Sequence, residues 1–190
     1  MENQNKKVAV IYAHPYDKSF NRAILDTVTA KLSADAVSYE VLDLYRDGFN
    51  PVYRPEELAL FSKGQYLDPL VEKYQNALRA ATEVVFIFPI WWGEAPAVVK
   101  GFFDKVMLPG FGYRVEGGRM VPGLKVGKTL VISTSEAPTE VFAPYFEGYF
   151  IPMALTTIGF NGVRWLNCPG MTTGTADERS AFLRTVAGLV

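Results

Sequence analysis

Apolar residues recur along this chain in two alternating rhythms. Val8-Ala9-Val10-Ile11-Tyr12, Val84-Val85-Phe86-Ile87-Phe88 and Thr129-Leu130-Val131-Ile132-Ser133 are short, nearly unbroken apolar runs. Runs of that length, rich in β-branched and aromatic residues, predict strands buried on both faces. Two other stretches, Tyr39-Glu40-Val41-Leu42-Asp43 and Val163-Arg164-Trp165-Leu166, alternate apolar with polar positions. That pattern belongs to strands with one open face, at the edges of a sheet.

Between the strands the period lengthens to that of a helix. A helix is predicted from Phe20 to Leu32, capped by Ser19, with Ile24, Leu25, Val28 and Leu32 on one face. Another runs from Pro69 to Ala81, with Leu70, Tyr74, Ala77, Leu78 and Ala81 as its stripe. After Pro96, the residues Val99, Phe102, Phe103 and Val106 fall at i, i+3, i+4 and i+7. Pro96 suits the first turn of that helix, and Ala95 at the N-cap offers no capping oxygen, which leaves the first amides for a ligand or water. The last helix opens on a capping box, Thr175-Ala176-Asp177-Glu178, and turns Phe182, Val186 and Leu189 inward. Residues 44–68 read as irregular, with a short helix around 56–61. The Gly-rich stretch 109–123 reads as a long loop, and 140–158 as helical but broken near Gly148 and Pro152.

Strands and helices alternate throughout, which predicts an α/β fold: a doubly wound, five-stranded parallel sheet with helices on both faces. Three buried strands and two alternating ones match the order 2-1-3-4-5, since strands 2 and 5 are then the edges. The switch point lies between strands 1 and 3. The loops after Ala13, Phe88 and Ser133 then converge on one cleft.

Composition narrows the possibilities. The 190 residues, 49% hydrophobic, fit a single domain spanning 1–190. Nineteen basic residues balance 20 acidic ones for a net charge of −1, and no basic block occurs, which argues against a nucleic-acid partner. The single Cys168 excludes an internal disulfide and any multi-cysteine metal site, and fits a reducing compartment. No metal is expected. The apolar run from Val8 to Ala13, behind the opening Met1-Glu2-Asn3-Gln4-Asn5-Lys6-Lys7, is too short for a signal-peptide core or a membrane span. A soluble, cytoplasmic protein is the expectation.

Two loops carry candidate chemistry. In Pro89-Ile90-Trp91-Trp92-Gly93-Glu94-Ala95-Pro96, two adjacent Trp leave a buried strand. Successive side chains point apart, so one Trp is expected to pack inward and the other to line a cleft for a flat ring. In His14-Pro15-Tyr16-Asp17-Lys18-Ser19-Phe20-Asn21-Arg22 the chain enters a helix among the donors His14, Lys18, Ser19, Asn21 and Arg22. Helix N-termini bind anions through free N–H groups and the positive end of the dipole. With neither G-x-G-x-x-G nor a Walker pattern present, a Rossmann-type dinucleotide or a nucleotide triphosphate is not the expected tenant.

These segments carry a resemblance. His14 with Ser19-Phe20-Asn21, Asp43-Leu44-Tyr45 with Phe49-Asn50-Pro51, Phe88-Pro89-Ile90-Trp91-Trp92 with Pro96-Ala97 and Lys100-Gly101, and Gly110-Phe111-Gly112-Tyr113 resemble the NAD(P)H:quinone oxidoreductase family. That family is flavodoxin-like and includes flavin-binding ancillary subunits of bacterial potassium-efflux systems. The resemblance implies that His14, Ser19, Phe20 and Asn21 hold the flavin phosphate or pyrophosphate. It also implies that Pro89, Ile90, Trp91, Trp92 and Gly93 lie along the isoalloxazine edge, with Ser133, Thr134, Ser135 and Glu136 near its pyrimidine side. Tyr113 matches an aromatic that, in family dimers, reaches the partner's active site. The ring-edge contacts are then Trp92, Thr134 and Tyr113, and no side chain is assigned as catalytic, because the flavin N5 carries the hydride.

The departures from the family pattern are informative too. Ser133-Thr134-Ser135-Glu136-Ala137 stands where members often have Thr-Thr-Gly-Gly, so geometry that Gly would ease must be met another way. A downstream Tyr and His that stabilise the reduced flavin in some members are missing; His14 is the only histidine, and Phe142 stands near the Tyr position. The chain is short between Phe49 and Gly64, where FAD-binding members touch the adenosine, so of FMN and FAD the reading favours FMN. NAD(P)H is the expected co-substrate and a quinone-like molecule the acceptor, in a ping-pong cycle. A homodimer is implied, for which Phe102, Phe103, Phe111 and Tyr113 offer an apolar interface. The alternatives are a flavin-binding regulatory subunit of a membrane transporter and a flavodoxin-like electron carrier.

Overall fold

The computed structural model describes residues 6–190, and the opening segment 1–5 lies outside the described residues. The chain runs β1 (Lys7–Tyr12), α1 (Phe20–Ala34), β2 (Ser38–Asp43), α2 (Pro55–Leu58), α3 (Pro69–Ala80), β3 (Glu83–Pro89), α4 (Ala97–Val106), β4 (Tyr113–Glu116) and β5 (Arg119–Pro122). It continues as β6 (Lys128–Thr134), α5 (Thr139–Tyr145), β7 (Val163–Cys168) and α6 (Ala176–Leu189). The main sheet has the order β2-β1-β3-β6-β7, all parallel. Leaving aside the β4-β5 hairpin, this is the expected 2-1-3-4-5 of a flavodoxin-like fold.

The period of two along each strand divides the core into two layers. Val8, Val10 and Tyr12 of β1, with Val85, Ile87, Leu130 and Ile132, meet α1 and α6 on one face. Ala9 and Ile11, with Val84, Phe86, Phe88 and Val131, meet α3, α4 and the 146–158 segment on the other. In α6, Val186 is buried, while Phe182 and Leu189 are half-buried against the first of these layers.

Three local expectations are corrected. Pro96 is the N-cap of α4 with extended backbone, in place of Ala95, and its carbonyl accepts from Val99 N at 2.8 Å. The stretch 109–123 is not a structureless loop. It contains the β4-β5 hairpin, whose turn residues Gly117 and Gly118 have φ of 57° and 75°, the positive pair that a type I′ turn requires. The segment 140–158 does not break. Wider π-helical winding over Phe146–Leu155 takes in Pro152, and a 3-10 turn at Thr156–Ile158 ends it. Between Asp43 and Pro69 the chain folds back on α4. There Lys105 Nζ meets Glu57 Oε1 at 2.9 Å with both side chains buried, and Gly101 lets the backbone of Pro51 approach closely.

Candidate active site

β1 ends at the switch point and the chain turns into α1 through His14 to Ser19. Tyr16 N donates to His14 Nδ1 at 3.1 Å, so the neutral imidazole carries its proton on Nε2. Burial lowers the His14 pKa despite the contact with the Tyr16 backbone, which keeps the ring neutral at neutral pH. Ser19 caps the helix, its Oγ accepting from Arg22 N at 3.1 Å. Among the described residues the amides of Phe20 and Asn21 have no hydrogen-bond partner, and they open a helix of 15 residues. Arg22, expected among the anion donors, is committed instead to Asp26 at 2.8 Å and to Asp17 at 3.9 Å. Asn21 is buried. Its Nδ2 donates to Thr134 Oγ1 at 2.8 Å, tying α1 to the end of β6, while its Oδ1 is left without a partner. The Tyr12 hydroxyl is buried beneath the Ser19 cap, and burial raises its pKa despite the contact with the Ser19 side chain.

At the end of β3, Trp91 and Glu94 exchange backbone hydrogen bonds of 3.0 and 3.2 Å. Between them Trp92 has φ 53° and Gly93 φ 88°, which makes a type I′ turn. This overturns the expectation that one Trp packs inward. Trp91 is 42% exposed, and Trp92, at the tip, is fully exposed. A bulky residue at positive φ is a steric outlier, and a free indole in water adds to its cost. Trp91 turns edge-on to His14, with ring centroids 5.9 Å apart, so the two loops touch. Pro89 and Ile90 are buried, and Ile90 N donates to Thr134 O at 2.7 Å.

The loop after β6 lies on the other side of β3. The side chains of Ser133, Thr134 and Ser135 are all buried and all bonded within the protein. The exposed Glu136 carboxylate accepts from Thr172 N at 2.8 Å, which holds its pKa below the usual range. The hydroxyls of Ser133, Thr134 and Ser135 are therefore spent within the protein, and so are the carbonyls of Thr134, Ser135 and Glu136. The structure brings His14, Ser19, Asn21, Trp91 and Thr134 together at the carboxyl ends of β1, β3 and β6, the crevice where ligands bind in open α/β sheets.

Tyr113 stands apart from those five, in a neighbouring apolar groove of about 390 Å³ lined by Met120, Tyr145, Tyr149, Phe150 and Met153. Glu94 and Ala95, which follow the Trp turn, form one end of this groove. Tyr149, Met153 and Met120 are exposed in it. Phe102 and Phe111 are buried in the core and cannot form an interface; Phe103 is half-buried below the groove. The sequence reading missed Tyr145, Tyr149, Phe150 and Met153. A signal was present in the aromatics at 142, 145, 146, 149 and 150, which keep a helical spacing across the supposed break.

The family model of the flavodoxin-like fold matches residues 6–183. Ribosyldihydronicotinamide dehydrogenase [quinone] of Mus musculus is 27% identical over 206 residues, covering 96% of this chain and 89% of that protein. An uncharacterized NAD(P)H oxidoreductase of Haemophilus influenzae is 33% identical over 117 residues, covering 61% of this chain and 57% of its own length. The structure of an NAD(P)H:quinone oxidoreductase from Methanothermobacter marburgensis superposes with TM-score 0.85 at 28% identity, over 97% of this chain and 96% of that one. Among the described residues no helix is long and apolar enough to cross a membrane. The matched family model, the sheet order and these relatives agree, and the chain belongs to the flavodoxin-like NAD(P)H:quinone oxidoreductase family.

Proposed function

We propose that this protein is a flavin-dependent NAD(P)H dehydrogenase (quinone)-like oxidoreductase that passes reducing equivalents from NAD(P)H to a quinone-type acceptor by a ping-pong cycle. The observation that carries the reading is the free N-terminus of α1 beside an exposed Trp turn, with buried, unpartnered Asn21 Oδ1 close by. The residues fit a flavin nucleotide. The Phe20 and Asn21 amides and the Nε2–H of His14 are donors for its phosphate, and neutral His14 limits the charge brought to that contact. The Trp91–Gly93 turn and the backbone of residues 133–136 would flank its ring. Bound there, the flavin supplies the hydride chemistry, and the protein supplies stacking, orientation and electrostatics.

FMN is the favoured flavin, because residues 49–64 are short and fold back against α4. The exposed groove around Tyr113 favours a homodimer, in which a second copy covers Tyr149, Met153 and Met120 and brings its Tyr113 toward this cleft. The cytoplasm is the proposed location. The test is the visible spectrum of the purified protein before and after NADPH, the mass of the released flavin, and steady-state NADPH oxidation with a quinone. A flavin that is bound but not turned over, with a transporter co-purifying, would overturn the enzyme reading.

A further inference from the structure

This chain shapes its 133–137 loop with side chains. Trp165 Nε1 donates to Ser133 Oγ at 2.8 Å, and Ser133 Oγ donates to Asn167 Oδ1 at 2.8 Å. Asn167 Nδ2 donates to Ser135 Oγ at 2.8 Å and to Thr139 Oγ1 at 3.1 Å. Ser135 Oγ donates in turn to the carbonyl of Ala137 at 2.8 Å. An indole N–H can only donate and a carbonyl can only accept. The hydroxyls between those ends are therefore oriented one way. The amide of Asn167 must present oxygen to Ser133 and nitrogen to Ser135, and it uses both N–H groups.

The main chain ties the same loop to the exit of β7. Ser135 N donates to Cys168 O at 2.9 Å, Met171 N to Ser135 O at 3.2 Å, and Gly170 N to Glu136 O at 3.2 Å. Asn167 is thus buried where the two loops leave the sheet, with its amide group fully satisfied. Buried polar chains of this kind rigidify what they touch when complete, and are costly when one link is cut. Aspartate would place an acceptor opposite Ser135, which would draw the serine hydroxyl away from Ala137.

We propose that Asn167 is a positioning residue for the flavin site: acting through Ser135, it holds the 133–137 loop in the conformation that sets flavin affinity and reduction potential. This rests on the flavin reading above. The test measures FMN affinity of the apoprotein by fluorescence quenching, the midpoint potential of the bound FMN, and apoprotein melting. It compares wild type, N167L, S135A and the double variant. Each single change is expected to weaken FMN by about tenfold, the equivalent of one lost buried hydrogen bond, and to shift the potential. The double variant is expected to lose no more than the weaker-binding single variant, since both cut one chain.

Variants that melt earlier yet keep wild-type FMN affinity and potential would reduce Asn167 to a structural role and overturn the proposal. Losses that multiply in the double variant would overturn the route through Ser135. Wild-type protein that takes up neither FMN nor FAD would overturn the flavin reading itself, a result distinct from both.

Discussion

Replacing Trp92 with Asn should make the apoprotein more stable while making it a worse enzyme. Trp92 occupies the first central position of a type I′ turn at φ 53°, with its indole fully exposed. A left-handed conformation costs an L-residue roughly 1–2 kcal/mol, and no burial of the indole offsets this within the protomer. Asparagine tolerates that region, and Asn-Gly is the preferred pair for the turn. Trp92→Asn, which sets that pair ahead of Glu94, should therefore recover about 1 kcal/mol, or about 2–4 °C in melting temperature for a chain of this size. If the strain is kept because the indole contacts a flat ring, the same variant should lose about tenfold in flavin affinity or in kcat/KM for the acceptor. Differential scanning calorimetry of the apoprotein at several concentrations and steady-state kinetics with a quinone read the two effects separately. A fall in melting temperature at every concentration would refute the strain argument. A rise with unchanged flavin affinity and kinetics would refute the functional one.

Other perturbations test the frame around the site. Lys105→Met should cost up to about 3–5 kcal/mol by taking from buried Glu57 its buried cation and leaving only the more exposed Arg54 at 3.3 Å, and adding Glu57→Leu should restore much of it, as read from denaturant midpoints. Burial alone would raise the Glu57 carboxyl, but the bonds from Lys105 and Arg54 outweigh it and hold its pKa below the usual range. That contribution to stability is therefore full above the unfolded pKa of roughly 4.5 and is lost as pH falls through the lower folded value, a slope that Glu57→Gln should flatten. His14 has its folded pKa lowered by burial, so folding favours the neutral ring. Stability should fall as pH drops below roughly 6.5, and His14→Asn should remove that slope in urea titrations across this range. Gly101→Ala would set its Cβ 2.2 Å from Pro51 Cβ and 2.4 Å from Pro51 Cα, and should cost about 1–3 kcal/mol in the same assay.

The strands and the long helices were legible because each is stated locally. Burial on both faces of β3 is written in Val84 to Phe88, and the Ser19 cap of α1 and the Thr175 capping box of α6 are one-turn signals. The Trp turn shows the limit of that reading. Alternation placed one indole inside, but a backbone pair between Trp91 and Glu94 turned the chain so tightly that Trp92 became its tip. Gly117-Gly118 was a readable type I′ signal, hidden by treating 109–123 as one loop. Pro152 read as a helix break because continuing through it takes the wider winding that the 146–155 segment adopts.

The sequence by itself determined the alternation of β and α elements, the edge and central strands, and which loops meet at the switch point, since these follow from hydrophobic period and strand order. It placed the donors His14, Lys18, Ser19, Asn21 and Arg22 at the entry to α1. Tertiary structure alone decided which groups remain free there: Arg22 is spent on Asp26, Asn21 spans to Thr134, and the amides of Phe20 and Asn21 stay open. It alone gathered Tyr113, Met120 and Tyr149 into one groove and joined Trp165 to Ala137 through Asn167. Those facts depend on distances between residues far apart in the chain, and no local pattern carries them.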